Sequence, residues 1–296
     1  MAVVDTGTFS AAALQLGYTQ SAVSQQVASL ERAVGAPLLV RPGGPRRVHL
    51  TAVGESLVVH ARAVVARLHA AQADIAQLLA GERGTLRVGI MQSIGTKVLP
   101  LLLRRFRADW PDVELAAEET HTYADLTHGV ESGAFDLSFS PLPVGEGPFA
   151  VRRVLDDPFV CLAPAGAPEG AAGSVSLRQA ARLPLIGFSD HDLDDELVRR
   201  LRRTGTEPTF VFRSNDNPTI QGFVAAGLGY AVMPRLTVDE DDPQVLVLPI
   251  SPALPARQLG VVWHVDRKLP ATATRFIELA VDVCADLGRG WADESA

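Results

Sequence analysis

Motifs that would indicate an enzyme or a metal protein are missing from this sequence. Its 296 residues include two cysteines, Cys161 and Cys284, and 6% aromatic residues. We find no Gly-x-Ser-x-Gly elbow of a hydrolase, no zinc-ligand spacing and no glycine-rich phosphate loop. The sequence therefore predicts no catalytic residue, no metal site and no cofactor.

A secretory signal and a long apolar run are also missing from the sequence. We therefore expect a soluble cytoplasmic protein without membrane contact, in which both thiols are reduced. Each cysteine lies in an apolar run, which is typical of a buried cysteine. A redox switch stays an alternative, although no basic residue flanks either thiol to lower its pKa.

Positive charge is unevenly spread along the chain, whose net charge is −7. Residues 1–50 contain four arginines against one aspartate and one glutamate, a net charge of +2. Residues 51–85 are neutral, so the remaining residues have a net charge of −9. A basic end on an acidic body is typical of a protein that contacts DNA with one end.

The basic end has the pattern of two short helices joined by a tight turn. Residues 9–16 place apolar side chains at the spacing of one helix face, namely Phe9, Ala12, Ala13 and Leu16. Gly17 and Tyr18 break this helix, and Thr19 can cap the next one. A second apolar stripe follows at Val23, Val27 and Leu30. Such a pair predicts a helix-turn-helix, whose second helix fits the major groove of DNA.

The other face of the second helix is made of amides and hydroxyls, which can contact base edges. Its residues are Gln20, Ser21, Ser24, Gln25 and Gln26. Two short strands, at 38–40 and 48–50, then flank a Pro/Gly turn with three arginines, Arg41, Arg46 and Arg47. This predicts a winged helix-turn-helix whose wing contacts phosphates. The alternative is a small helical domain with an incidentally polar surface.

The stretch FSAAALQLGYTQSAVSQQVASLERAVGAPLLVR resembles the DNA-binding domain of the LysR-type transcriptional regulators, except that Leu39 replaces the usual aromatic residue. The resemblance implies that the second helix reads bases through Gln20, Ser21, Ala22, Ser24 and Gln25. It also implies that Arg41, Arg46 and Arg47 hold the DNA backbone. The partner would be double-stranded DNA with an inverted-repeat operator.

Residues 51–84 predict a long helix with a heptad seam, at Leu57, Ala61, Val64, Leu68, Ala71, Ile75 and Leu78. We expect this helix to form a coiled coil with a second copy, in a homodimer or homotetramer. The alternative is that it packs on its own chain.

After residue 85 strands and helices alternate, which predicts an α/β region with mostly parallel sheets. The resemblance implies a bilobed effector domain like the periplasmic solute-binding proteins. Lobe one would comprise residues 86–157 and 262–296, and lobe two residues 158–261. The DNA-binding domain would comprise residues 1–50.

Ligands of open α/β sheets bind beyond the carboxyl ends of the strands. Matching those turns to the family places five residues around the cleft between the lobes: Ser93, Thr96, Thr122, Phe188 and Asp216. The alternative is that Ser93 and Asp216 are only helix N-caps. An acidic run at 190–196 could suggest a metal site, but acids at a helix start also complement the helix dipole. Gly227 and Gly229 lie between a helix and a strand and predict a helix C-cap.

The sequence thus predicts a DNA-binding transcriptional regulator controlled by an unidentified small molecule, with RNA polymerase as a further partner to consider. A solute-binding protein of the same bilobed fold without a DNA-binding role is the main alternative. A structural coiled-coil scaffold would leave the polar face of the second helix unexplained. We also expect the first helix, before Gly7, to be a shortened form of the family's first helix, whose true start would lie upstream.

Overall fold

The computed structural model describes residues 1–40, 48–80, 84–120, 122–189 and 191–293. The chain forms two compact units, Met1–Gln72 and Ala73–Ala296. The helices are α1 (Ala2–Thr6), α2 (Phe9–Leu16), α3 (Gln20–Val34), α4 (Ala52–Ala80), α5 (Leu99–Asp109), α6 (Tyr123–Ser132), α7 (Leu177–Ala180), α8 (His191–Arg202), α9 (Asn217–Ala225) and α10 (Ala271–Asp293). The strands are β1 (Leu39–Val40), β2 (His49–Leu50), β3 (Thr85–Ile90), β4 (Glu114–Glu119), β5 (Leu137–Pro141), β6 (Phe149–Asp157), β7 (Phe159–Pro164), β8 (Pro184–Gly187), β9 (Thr209–Arg213), β10 (Ala231–Pro234), β11 (Val245–Pro249) and β12 (Arg257–His264).

The first unit confirms the predicted helix pair and its caps. Gly17 ends α2 at a φ of 68°, a left-handed conformation that favours glycine. The hydroxyl of Thr19 then accepts a hydrogen bond from the amide of Ala22 at 3.2 Å, which caps α3. The small core of this unit is formed by Val3, Ala12, Ala13, Val23, Leu38 and Leu39. The two predicted apolar faces are less buried than expected, because Leu16 and Leu30 remain 47% and 48% exposed.

The predicted wing is described in part. Strands β1 and β2 pair antiparallel, with Leu39 opposite Leu50. The arginine-rich turn between them, residues 41–47, lies outside the described residues. The start of α4 packs tightly against Leu38, the residue before β1, since a Cβ at Gly54 would lie 2.1 Å from the carbonyl oxygen of Leu38. Glycine at this position therefore permits the close approach of helix and strand.

Helix α4 confirms the predicted long helix, with 29 residues. Leu57, at the start of the predicted seam, packs against the core of the first unit. Further along the seam, Val64, Leu68 and Ile75 are 69%, 59% and 57% exposed. The side chain of Leu78 lies outside the described residues.

The described residues of the second unit form three sheets and confirm the predicted α/β class. A five-stranded sheet has the order β4-β3-β5-β12-β6, and the region built on it is called lobe one. A three-stranded sheet, β10-β7-β11, and a two-stranded sheet, β8-β9, form the region called lobe two. The expectation of mostly parallel sheets was wrong. Parallel pairing is found for β3–β4, β3–β5 and β8–β9, whereas β12 and β7 are antiparallel to their neighbours.

The chain passes between the lobes at two adjacent points. Strand β6, which the sequence did not predict, ends at Asp157 in lobe one, and β7 begins at Phe159 in lobe two. The chain returns before Arg257, which pairs in register with Asp157. Residues 257–261 thus belong to the lobe-one sheet, whereas we expected this lobe to resume at 262. The other domain bounds stay a prediction.

The core of lobe one contains three phenylalanines in contact. The ring of Phe276 in α10 contacts Phe106 edge-to-face, with centroids 5.3 Å apart, and Phe139 at 6.4 Å. This core holds α5 and α10 against the five-stranded sheet. The carboxyl ends of its parallel strands β3 and β4 are thereby fixed, and they carry the turns that begin at Met91 and Thr120.

Candidate DNA-binding face and effector site

Helix α3 presents a polar face to solvent. Gln20, Ser21 and Gln25 are exposed, whereas Ala22 and Ser24 are half-buried. Val23, on the opposite side, is 3% exposed and packs in the core. Three exposed side chains with amide or hydroxyl groups within one and a half turns can both donate to and accept from base edges. The assignment of these five residues to DNA contacts stays a prediction.

The half-buried side chain of Glu31 anchors α3 to the strand that follows it. The carboxylate of Glu31 accepts hydrogen bonds from the amides of Leu38 and Leu39, at 2.9 and 3.3 Å. The orientation of α3 is therefore tied to that of β1. Arg41, Arg46 and Arg47, predicted to contact the DNA backbone, lie outside the described residues.

Three of the five predicted effector residues line one small cavity in the second unit. Ser93, Thr122 and Phe188 face a space of about 100 Å³, to which both lobes contribute. Ser93 is 2% exposed, and its side chain makes no capping hydrogen bond. Ser93 therefore occupies the N-cap position of the turn at Ile94–Val98 without capping it through its side chain, and its contact with an effector stays a prediction. Thr122 does cap α6, since its hydroxyl accepts a hydrogen bond from the amide of Asp125 at 3.2 Å.

The other two predicted residues lie elsewhere. Thr96 lines a separate space of about 440 Å³, and its hydroxyl donates to the carbonyl of Gln92 at 3.1 Å. Asp216 caps α9 by accepting hydrogen bonds from the amide and hydroxyl of Thr219, at 2.9 and 2.5 Å. The hydroxyl of Thr219 and the amide of Gln92 lower the pKa of Asp216 below its usual value.

Gln92 links the lobes, a role that sequence reasoning missed. Its side-chain nitrogen donates to Asp216 Oδ1 and its oxygen accepts from the amide of Asn217, both at 3.0 Å. Gln92 follows β3 of lobe one, and Asn217 begins α9 of lobe two. One amide side chain thus satisfies two groups at the start of α9.

A buried ion pair lies where the chain crosses between the lobes. Arg257 Nη2 and Nε donate to Asp157 Oδ2 at 2.5 and 3.1 Å, and the two side chains are 5% and 0% exposed. Burial raises the pKa of Asp157, while the Arg257 guanidinium and the Leu236 amide oppose that shift. Sequence reasoning missed both residues. The signal for Arg257 in the sequence was a charged residue at the start of the apolar strand β12.

Comparison with known proteins agrees with this architecture. The family described as "Bacterial regulatory helix-turn-helix protein, lysR family" matches residues 1–55, and the "LysR substrate binding domain" matches residues 79–285. The chain belongs to the LysR-type transcriptional regulators.

Individual relatives cover most of the chain. It is 30% identical to the HTH-type transcriptional regulator IlvR of Caulobacter vibrioides, over 91% of each chain. It is also 30% identical to a probable hydrogen peroxide-inducible genes activator of Mycobacterium leprae, over 89% of this chain and 85% of the relative. The crystal structure of full-length CbnR complexed with its target DNA has 21% identity and a TM-score of 0.62, covering 95% of this chain and 96% of that chain.

As a LysR-type regulator, the chain combines a DNA-binding helix-turn-helix with an effector-binding α/β domain. The alternative of a solute-binding protein without a DNA-binding role was wrong, because residues 1–55 match the helix-turn-helix of this family. Within the described ranges, no helix is both long and apolar enough to cross a membrane. The same ranges contain no group of three acidic, histidine or cysteine side chains that could hold a metal ion. The side chains of the acidic run at 190–195 lie outside them.

Both cysteines of this regulator are buried in the core. Burial raises the pKa of Cys284 to about 12, and burial together with the charge of Glu169 raises that of Cys161 to about 12. The reactive form of cysteine is the thiolate, which needs a lowered pKa and access to solvent. Neither thiol therefore has the environment of a redox sensor.

Proposed function

We propose that this regulator binds an inverted-repeat operator as a homodimer, or as a tetramer of two such dimers. Helix α3 reads bases through Gln20, Ser21, Ala22, Ser24 and Gln25, while Arg41, Arg46 and Arg47 hold phosphates. A small molecule bound between the lobes controls this binding. The protein acts in the cytoplasm, without a catalytic step of its own.

The observation that carries the DNA-binding proposal is the polar face of α3. Gln20, Ser21 and Gln25 are exposed on a helix whose cap and anchor are both made within the first unit. Glutamine can bond adenine with its oxygen and nitrogen together, which makes it a specific base reader. The CbnR structure, which shares this fold, is a complex with target DNA.

The proposal of a dimer is supported by the exposed stripe of α4. Val64, Leu68 and Ile75 lie at heptad spacing and are each more than half exposed. Apolar side chains repeated at this spacing are buried in two-stranded coiled coils. Two copies of α3 related by a two-fold axis would read the two halves of an inverted repeat.

The effector proposal is supported by the cavity that Ser93, Thr122 and Phe188 line. Both lobes contribute to it, and Gln92 joins them beside it. A ligand that binds one angle between the lobes better than another shifts the protein toward that angle. We propose that Thr96 and Asp216 act at the rim of the site rather than inside the small cavity.

The test is a gel-shift titration with DNA from upstream of the protein's own gene. Gln25→Ala should weaken specific binding by about 1–3 kcal/mol while leaving binding to random DNA unchanged. Arg46→Ala should weaken binding to all sequences and reduce its salt dependence. The matched control is Gln244→Ala, an exposed glutamine of the effector-binding domain, which should bind as the wild type does. Equal losses for Gln25→Ala and Arg46→Ala would contradict the division into base and phosphate contacts.

A further inference from the structure

The guanidinium of Arg257 is bound firmly along one edge only. Asp157 accepts from Nε and Nη2, as described above, through a single oxygen. The other contacts are long: Nη1 lies 3.5 Å from the Tyr123 hydroxyl and 3.8 Å from the sulfur of Met91, and Nη2 lies 3.4 Å from Ser93 Oγ. Good hydrogen bonds to oxygen centre near 2.9 Å. The Nη1 edge is therefore able to take a stronger acceptor.

Arg257 lies in a wall shared by two cavities, since both it and Tyr123 line each of them. The first is the 100 Å³ space, which also has the hydroxyls of Ser93, Thr120 and Thr122. The second is a space of about 540 Å³. Much of its lining is apolar, including Leu142, Pro143, Val144, Phe159, Leu254 and Pro255. A ligand with a charged end and an apolar body could therefore place the end beside Arg257 and the body against the apolar lining.

Among the described residues that line the two cavities, Arg257 is the buried cation, whereas the other charged residues are exposed or paired with each other. Glu119 lines the small cavity but is exposed, so water screens its charge. Glu196 and Arg200 line the large cavity and pair with each other at 2.7 Å. Buried charges interact more strongly than exposed ones, because the surroundings screen them less.

We propose that the effector is a monocarboxylate with an apolar body, whose carboxylate binds the Nη1 edge of Arg257 and whose body fills the 540 Å³ cavity. This inference rests on the proposed function, in which the space between the lobes is the effector site. A charge-assisted hydrogen bond of this kind is about twice as strong as a neutral one. A carboxamide of the same shape has one acceptor oxygen in place of two and has no charge.

The position of Arg257 also explains how such a ligand would be sensed. Asp157, which holds the guanidinium, accepts with its other oxygen from the amide of Leu236 at 2.9 Å. Leu236 lies in the 3-10 turn that follows β10 of lobe two. A ligand carboxylate on the Nη1 edge shares the positive charge of the guanidinium with Asp157 and so weakens the link between the crossing strands and this turn. The charge of the ligand thereby changes the hydrogen bonds of Asp157, which lies where the lobes join.

The experiment is thermal unfolding and titration calorimetry of the full chain with matched acids and amides. The probes are benzoate and hexanoate, benzamide and hexanamide, and acetate as an acid without an apolar body. We expect benzoate or hexanoate to raise the melting temperature, the corresponding amide to have no effect, and acetate to bind more weakly. Equal shifts with acid and amide, or no shift with either acid, would overturn the inference.

A charge-conserving variant tests the role of Arg257. Arg257→Lys should weaken the binding of the effective acid at least about tenfold. Arg105→Lys, which changes an arginine paired with Asp286 on the surface, is the matched control and should bind as the wild type does. Acid binding undiminished in Arg257→Lys would contradict the proposal. If this variant does not fold, the comparison of acids with amides on the wild type decides. Operator binding by the same preparations tests the proposed function separately, so the two can fail independently.

Discussion

The exposed stripe of α4 gives the sharpest prediction about assembly. Leu68 is 59% exposed at the middle of the stripe. Full burial of a leucine side chain contributes about 1.5–3 kcal/mol, so burying this remainder contributes about 1–2 kcal/mol per chain. Two copies meet in a dimer, so the loss on removing both is about 2–4 kcal/mol. Since each 1.4 kcal/mol is a factor of ten, Leu68→Asp should raise the dissociation constant about thirty- to seven-hundredfold.

The charge introduced by Leu68→Asp adds to this effect, because a buried carboxylate without a partner is costly. Sedimentation equilibrium over a concentration series measures the dissociation constant, and circular dichroism checks that the chain stays folded. Val59→Asp is the matched control, since Val59 is 67% exposed on the same helix but lies off the heptad stripe. We expect this control to remain dimeric. An intact dimer in Leu68→Asp, or equal dissociation in both variants, would refute the reasoning.

Three further predictions concern single positions or pairs of like residues. Gly54→Ala should destabilise the first unit by about 1–3 kcal/mol in urea unfolding, because its Cβ would meet the Leu38 carbonyl. The control Gly222→Ala has open space around its Cβ and should stabilise the protein by up to about 1 kcal/mol. The pKa of Asp216 is lowered in the folded protein, so its ionised carboxylate stabilises the fold. This stabilisation is fully present above the unfolded pKa of about 3.9 and is lost as pH falls through the lower, folded pKa. Asp216→Asn should therefore lower the melting temperature at neutral pH and make it less sensitive to acid; an unchanged pH profile would contradict this. Cys161 and Cys284 should resist a thiol reagent at pH 8 in the folded protein and react once it is unfolded in guanidinium, whereas fast labelling of the folded chain would contradict their burial.

The first unit was predictable because its signals are local. The helix pair follows from apolar spacing within residues 9–30, and Gly17 and Thr19 mark its turn. Helix α4 likewise follows from a repeat along one stretch. What spacing did not reveal is how far each face is covered: Leu16 and Leu30 continue the apolar pattern and yet are about half exposed.

The sheets were harder to predict, because their pairing joins distant residues. Strand β6 contains Arg152, Arg153 and two aspartates and lies at the edge of its sheet, so it lacks the apolar alternation of the predicted strands. The direction of β12 depends on where the chain returns from lobe two. Neither feature has a local signature.

The candidate effector site shows the same limit. Ser93, Thr122 and Phe188 were placed at the cleft by matching the turns after strand ends to the family, and such turns are local to each βα unit. Arg257 and Asp157 are 100 residues apart in the sequence. Their pairing depends on the register of β6 against β12, which sequence spacing does not encode. Gln92 is equally dependent on a partner in the other lobe.

Footprinting of the DNA upstream of the protein's own gene is the most direct test of the account. The full chain should protect two major-groove segments related by a two-fold axis, with centres about 10 base pairs or a multiple of this apart. Gln25→Ala should lose this protection at protein concentrations where Gln244→Ala retains it. Protection of a single unsymmetrical segment, or protection that does not depend on sequence, would contradict the claim that two copies of α3 read an operator.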